Sequence, residues 1–201
     1  YRHILRRRAG LIALLLAAIC IGLLLDFTLG PSGLGWGELW RTLSAPASAD
    51  PTLRVIVWDI RLPYALMAAL VGMALGLAGA EMQTILNNPL ASPFTLGVSS
   101  AAAFGASLAI VLHLGVPGIP DGWLIAGNAF LFALLAALML DGVARRGGMN
   151  TSGVVLFGIA MVFTFNALVS LVQFTASAEA LQNLVFWTMG SLARSSWTTV
   201  A

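Results

Sequence analysis

GVVLFGIAMVFTFNALVSLVQF, residues 153–174, runs for 22 positions without one charged side chain. At ~1.5 Å rise per residue a helix of that length reaches roughly 33 Å, about one hydrocarbon thickness. Working outward, residues 10–29, 62–80, 96–114 and 123–140 also carry few or no charges over span length. Together these segments predict an all-α, polytopic transmembrane helical bundle with five complete spans. A sixth begins near Trp197, and the stop at Ala201 suggests a fragment, with 1–201 the N-terminal part of one transmembrane domain.

Composition agrees. Of 201 residues, 59% are hydrophobic and 9% charged, with mean hydropathy +0.94, a balance from which a water-facing surface cannot be built. All ten basic side chains are arginine, and the formal charge is only +2, so nucleic-acid binding is not implied. Cys20 is the only cysteine, which excludes an internal disulfide and a cysteine-cluster metal site. Ser195 and Ser196 have no histidine nearby, and His3 and His113 fall in separate flanks, so no catalytic or metal constellation is expected. Without lysine no G-x-x-x-x-G-K-[ST] loop can exist in these residues, and any ATP hydrolysis must belong to another chain.

Arginines orient the chain. Arg2, Arg6, Arg7 and Arg8 precede the first span and Arg145 and Arg146 follow the fourth, against Arg41, Arg54, Arg61 and Arg194 on the other side. Six against four favours a cytoplasmic N-terminus. The basic start followed by Leu11 also has the order of a signal peptide, but no small-residue cleavage site follows Leu25. Residues 26–61, with Pro31, Gly33, Gly35, Gly37, Pro46 and Pro51, read as an extracytoplasmic loop. Trp36, Trp40 and Trp58 within it suit either the headgroup level or packing inside the loop.

Three features qualify the spans. Gly72, Gly76 and Ala80 form a small-residue stripe on the second, suited to close helix packing. Between the second and third spans, Pro89 and Pro93 forbid a continuous helix, leaving either a cytoplasmic turn or a broken segment lining a cavity. In the fifth, Asn166, Ser170 and Gln173 share one face at i, i+4, i+7, and such polar groups need either another helix or a wet pathway.

Three ordered blocks then resemble a known family. Arg61-Leu62-Pro63 through Gly72, Gly79-Ala80-Glu81-Met82-Gln83, Asn88-Pro89-Leu90-Ala91-Ser92-Pro93 and Leu96-Gly97-Val98-Ser99-Ser100-Ala101 form the first. Asn150-Thr151-Ser152 with Leu156-Phe157-Gly158-Ile159-Ala160 is the second, and Trp187-Thr188-Met189-Gly190-Ser191-Leu192 ending at Trp197 the third. In order and spacing they are similar to permease subunits of bacterial ABC importers for ferric siderophores, haem or cobalamin.

The resemblance implies a multi-pass inner-membrane subunit of about ten spans, helices being one of the few structures that satisfy backbone groups in lipid. It implies a second permease subunit as homodimer partner, two ATP-binding cassette subunits that use the ATP, a periplasmic or lipoprotein substrate-binding protein, and no cofactor on this chain. It makes Arg61 a docking residue for the binding protein, although Tyr64 replaces the second arginine of the family's Arg-x-x-Arg patch and a snorkelling anchor is the competing reading. Thr151 and Ser152 match a cytoplasmic gate, their alternative being a helix N-cap shared with Asn150. Gln83, Asn88, Pro89 and Pro93 mark the family-motif loop, and Asn166, Ser170 and Gln173 are pathway-lining candidates.

The competing class is a secondary transporter or channel driven by an ion gradient. Such coupling usually needs ionisable groups within the spans, and Glu81 and Asp141 stand only at span ends. A membrane-embedded enzyme lacks an arranged nucleophile, base or metal set.

Overall fold

A computed structural model describes residues 2–28, 35–114, 116–146, 148 and 150–200. The described chain is helical: α1 (Arg2–Thr28), α2 (Trp36–Ser44), α3 (Pro51–Arg54), a π-helical stretch (Val55–Arg61), α4 (Leu62–Ile85), α5 (Val98–Val111), α6 (Asp121–Arg146), α7 (Thr151–Thr175), α8 (Ala178–Met189), a 3-10 turn (Leu192–Arg194) and α9 (Trp197–Val200). It divides into two compact units, residues 1–72 with 191–201, and residues 73–190.

Among the described residues four helices are long and apolar enough to cross a membrane: Leu5–Phe27, Pro51–Ile85, Asp121–Arg145 and Thr151–Thr175. The predicted third span differs. Its helix, Val98–Val111, has 14 residues and reaches roughly 21 Å, short of the hydrocarbon thickness. Gly97 at φ 81 starts it and His113 at φ 49 lies just past its end, because left-handed backbone cannot continue a right-handed helix. Leu29, placed at the end of the first span, lies outside the described residues, as do Pro31 and Gly33.

In the first unit the expected loop is largely helical, which corrects the reading of 26–61. Asp50 caps α3, its carboxylate accepting from Thr52 N at 2.8 Å, with Pro51 at the first helical position, where a missing N–H costs nothing. The helix then runs to Ile85, far longer than the predicted 62–80, through a π-helical register. Leu62 N donates to Val57 O, five residues back, so the next donor in that register, to Trp58 O, would have come from Pro63, which has none. Trp197 Nε1 fills the gap, donating to Trp58 O at 2.9 Å. The core here joins Phe27 of α1, Leu39 of α2, Val57 and Ala65.

In the second unit α5 is central, packed by α6, α7 and α8. Its small residues allow this: Ala101 and Ala106 are fully buried, and a Cβ on Gly105 would lie 2.6 Å from Asn128 O of α6. The core gathers Leu86, Ala91, Leu96, Ala101, Ala136, Leu140, Val154 and Met161, and Phe104 meets Phe132 edge-on at 5.2 Å. Helix α8, absent from the span reading, is capped by Ser177 and buries Ala180 and Leu184 with Ile110 of α5. Among the described residues nothing packs on the expected stripe of α4: Ala80 is exposed, and Cβ atoms on Gly72 and Gly76 would meet nothing within 4 Å. The close approaches fall instead at Gly97, Gly105 and Gly158, where turn geometry and α5 packing demand them.

Candidate functional site

The family-motif loop links α4 to α5 as a hydrogen-bonded turn. Asn87 takes a positive φ of 44, which short amide side chains tolerate. Asn88 Oδ1 accepts from Leu90 N at 3.0 Å, an Asx-turn that leads the chain past Pro89. Ser92 and Thr95 bind one another reciprocally: Ser92 N donates to Thr95 Oγ1 at 2.9 Å and Thr95 N to Ser92 Oγ at 3.1 Å. These bonds satisfy backbone groups that Pro89 and Pro93 leave without helical partners. Ala91 and Leu96 are buried beneath, while Gln83 and Pro89 stay exposed and Asn88 and Pro93 half-buried. The loop therefore anchors itself through Leu86, Ala91 and Leu96 and presents Gln83 and Pro89 outward, together with the exposed Leu90 and Phe94. Leu96 and Gly97 lie directly on Gly158 and Met161 of α7.

At the start of α7 the cap is Asn150, whose Oδ1 accepts from Gly153 N at 3.0 Å. That settles which residue caps: Thr151 and Ser152 are exposed and their hydroxyls are not needed for it. Farther along, Asn166 and Ser170 are exposed and Gln173 half-buried, so the predicted polar face exists and looks away from the core. Ser170 Oγ donates to Asn166 O at 3.0 Å and Thr164 Oγ1 to Ala160 O at 2.8 Å, bonds within the helix. The amide that does bridge helices is Asn128, whose Nδ2 donates to Gly105 O at 2.6 Å. Sequence reasoning missed it, although a lone amide in the uncharged run of α6 carries the same signal as those of α7. A groove of about 390 Å³ opens beside it, lined by Leu114, Trp123, Leu124 and Leu131, and none of the three α7 candidates lines it.

Arg61, in the other unit, is half-buried at the end of the π-helical stretch, and its Nη1 donates to Asp26 O in the last turn of α1. A guanidinium there meets carbonyls that lack helical partners, at the negative end of the helix dipole. Trp58, considered a headgroup anchor, donates through Nε1 to Thr42 O at 3.0 Å and packs on the core; Trp36 and Trp40 are the exposed pair. Among the described residues no group of three His, Cys, Asp or Glu is placed to hold a metal ion.

Residues 14–201 match the FecCD transport family. The chain is 31% identical over 195 residues to the hemin transport system permease protein HmuU of Yersinia pestis, covering 97% of this chain and 56% of that one. It is 37% identical over 163 residues to the vitamin B12 import system permease protein BtuC of Vibrio cholerae, covering 80% and 47%. It is 33% identical over 183 residues to the molybdate import system permease protein MolB of Haemophilus influenzae, covering 89% and 53%. Among solved structures, an ABC transporter assigned to the metal-chelate type, in an inward-facing conformation, superimposes with a TM-score of 0.71 at 30% identity, over 92% of this chain and 56% of that one. The chain spans about half the length of these relatives.

Proposed function

This chain belongs to the FecCD transport family, and from that premise we propose that it is the N-terminal part of the transmembrane subunit of a binding-protein-dependent ABC importer carrying a metal chelate. The match over residues 14–201 carries the reading, joined to four helices of crossing length. In this reading a homodimer of permease subunits encloses the pathway in the bacterial inner membrane, N-termini cytoplasmic. Two ATPase subunits drive it, and a periplasmic or lipoprotein binding protein delivers the chelate at a surface that includes Arg61. Thr151 and Ser152 narrow the cytoplasmic end, and the α7 face of Asn166, Ser170 and Gln173 borders the pathway, since exposed polar groups on a helix of crossing length call for water or a partner rather than lipid.

The cargo is a ferric siderophore, haem or cobalamin, with ferric siderophore preferred. Relatives named for hemin, vitamin B12 and molybdate each match most of this chain at 31–37% identity, which fits specificity residing largely in the binding protein. Family membership weighs against the ion-gradient alternative. The test is uptake of radiolabelled ferric siderophore, haem, cobalamin and molybdate into proteoliposomes holding the full-length subunit, its ATPase and its binding protein. ATP-dependent accumulation of one of the three chelates is expected and names the cargo. Uptake that follows an ion gradient and ignores ATP refutes the importer reading, and accumulation of molybdate alone refutes the chelate assignment.

A further inference from the structure

Among the described residues, helix α2 (Trp36–Ser44) is held on one side only. Leu39 and Thr42 are 3% and 1% exposed, and Leu39 joins the core of Phe27, Val57 and Ala65. Thr42 Oγ1 turns back onto Glu38 O at 2.8 Å, and the Thr42 carbonyl takes the Trp58 indole, so this side is closed. Trp36 and Trp40 remain 57% and 72% exposed. At about 100° per residue the two lie roughly 40° apart, along one edge of the buried stripe, and Glu38 lies about 160° round from Trp40. The apolar arc of α2 is therefore wider than the described residues cover, and its uncovered part is formed by the two indoles.

Depth identifies what covers them. The core partners of α2 include Leu23 and Phe27, in the last turns of α1, whose Leu5–Phe27 stretch is apolar enough to cross a bilayer. Leu24 and Leu25 beside them are 47% and 44% exposed, so the apolar belt of α1 continues outward as far as α2. A tryptophan at that level finds what its two ends need, apolar contact for the ring and polar partners for the N–H.

We propose that α2 is an interfacial helix that seats Trp36 and Trp40 among the phospholipid headgroups at the C-terminal end of α1. The helix thereby fixes how deeply α1 and α4 hang in the bilayer. This holds whichever cargo is carried, so its failure and that of the transport reading are separable.

The test uses the full-length subunit in phosphatidylcholine vesicles whose acyl chains carry bromine either near the glycerol end or near the chain middle. The fluorescence difference between the parent and Trp36→Phe/Trp40→Phe isolates these indoles. A blue-shifted difference emission is expected, quenched more by shallow bromines than by deep ones and shielded from aqueous iodide. Emission open to iodide and indifferent to both lipids overturns the proposal. So does emission shielded only when the binding protein is added, which would give this face to a protein partner. A nitroxide on Trp40→Cys is a second readout: oxygen should reach it more readily than a water-soluble nickel chelate, and the reverse order refutes the placement.

Discussion

Gly97 and Gly158 meet backbone to backbone where the family-motif loop crosses α7. A Cβ on Gly97 would lie 3.1 Å from Gly158 O and 2.9 Å from Met161 Cβ, and one on Gly158 would lie 3.0 Å from Leu96 Cα. Gly97 also holds a φ of 81, which a side chain resists. The expected cost of Gly97→Ala is about 2 kcal/mol or more, from left-handed backbone plus crowding, and of Gly158→Ala about 1–3 kcal/mol. Thermal unfolding of the full-length subunit in detergent reads both. Gly76→Ala, with open space around it, should be neutral or stabilising; if Gly76→Ala lowered the midpoint as much as Gly158→Ala, the assignment of close packing to this loop would be wrong.

Asn128 ties α6 to α5 through a 2.6 Å bond to Gly105 O, at a position where Gly105 brings the two backbones together. Asn128→Leu should destabilise by about 1–2 kcal/mol, more than Asn166→Leu, whose amide makes no interhelical bond among the described residues. Equal losses in unfolding titrations would mean that Asn128 is no more a bridge than Asn166.

Trp197 supplies the donor that Pro63 withholds from Trp58 O. Trp197→Phe should therefore cost about 1 kcal/mol, and the cost should shrink in a Pro63→Ala background, where residue 63 regains an N–H able to reach that carbonyl. A double-mutant cycle measures the coupling. Strict additivity would break the link between the proline, the π-helical register and the indole.

Arg61 already serves the end of α1 through Asp26 O. If it also docks the binding protein, Arg61→Glu should weaken the complex more at low salt than at high salt, because an exposed charge contact is screened. Salt-independent loss, or none in titrations with purified binding protein, leaves Arg61 with the helix-end role alone.

Asn150 caps α7, and Thr151 and Ser152 stand beside it unused for capping. Asn150→Ala should cost about 1 kcal/mol of stability, while Thr151→Ala and Ser152→Ala should change it little. Cysteines placed at 151 and 152 should then cross-link between permease subunits in one nucleotide state and less in another. Cross-linking that ignores nucleotide removes the gate.

Much of the candidate site was legible because its signals are local. The polar face of α7 follows from a spacing of four and three residues, and the break between α4 and α5 from Pro89 and Pro93. The cap at residue 150 was narrowed to three neighbours, and only backbone geometry chose among them. Less legible was anything that depends on partners distant in sequence. The glycines of α4 and those of the loop look alike in composition, yet only the latter face another backbone. Trp58 and Trp40 are both indoles in a polar segment, and the presence of Thr42 O within reach separates the half-buried ring from the exposed one.

An apolar helical membrane chain, a broken connection after α4 and the motifs of one transport family are all written in the order of the residues. Those properties come from hydropathy, length and local turn chemistry, which act over a few residues and need no partner. It took the folded chain to make α5 a short buried helix, to put α2 and the π-helical turn where a loop was expected, and to bring Trp197 to Trp58 O across 139 positions. Each of those depends on which surfaces meet, and steric fit and hydrogen-bond satisfaction between distant segments are set by packing in three dimensions.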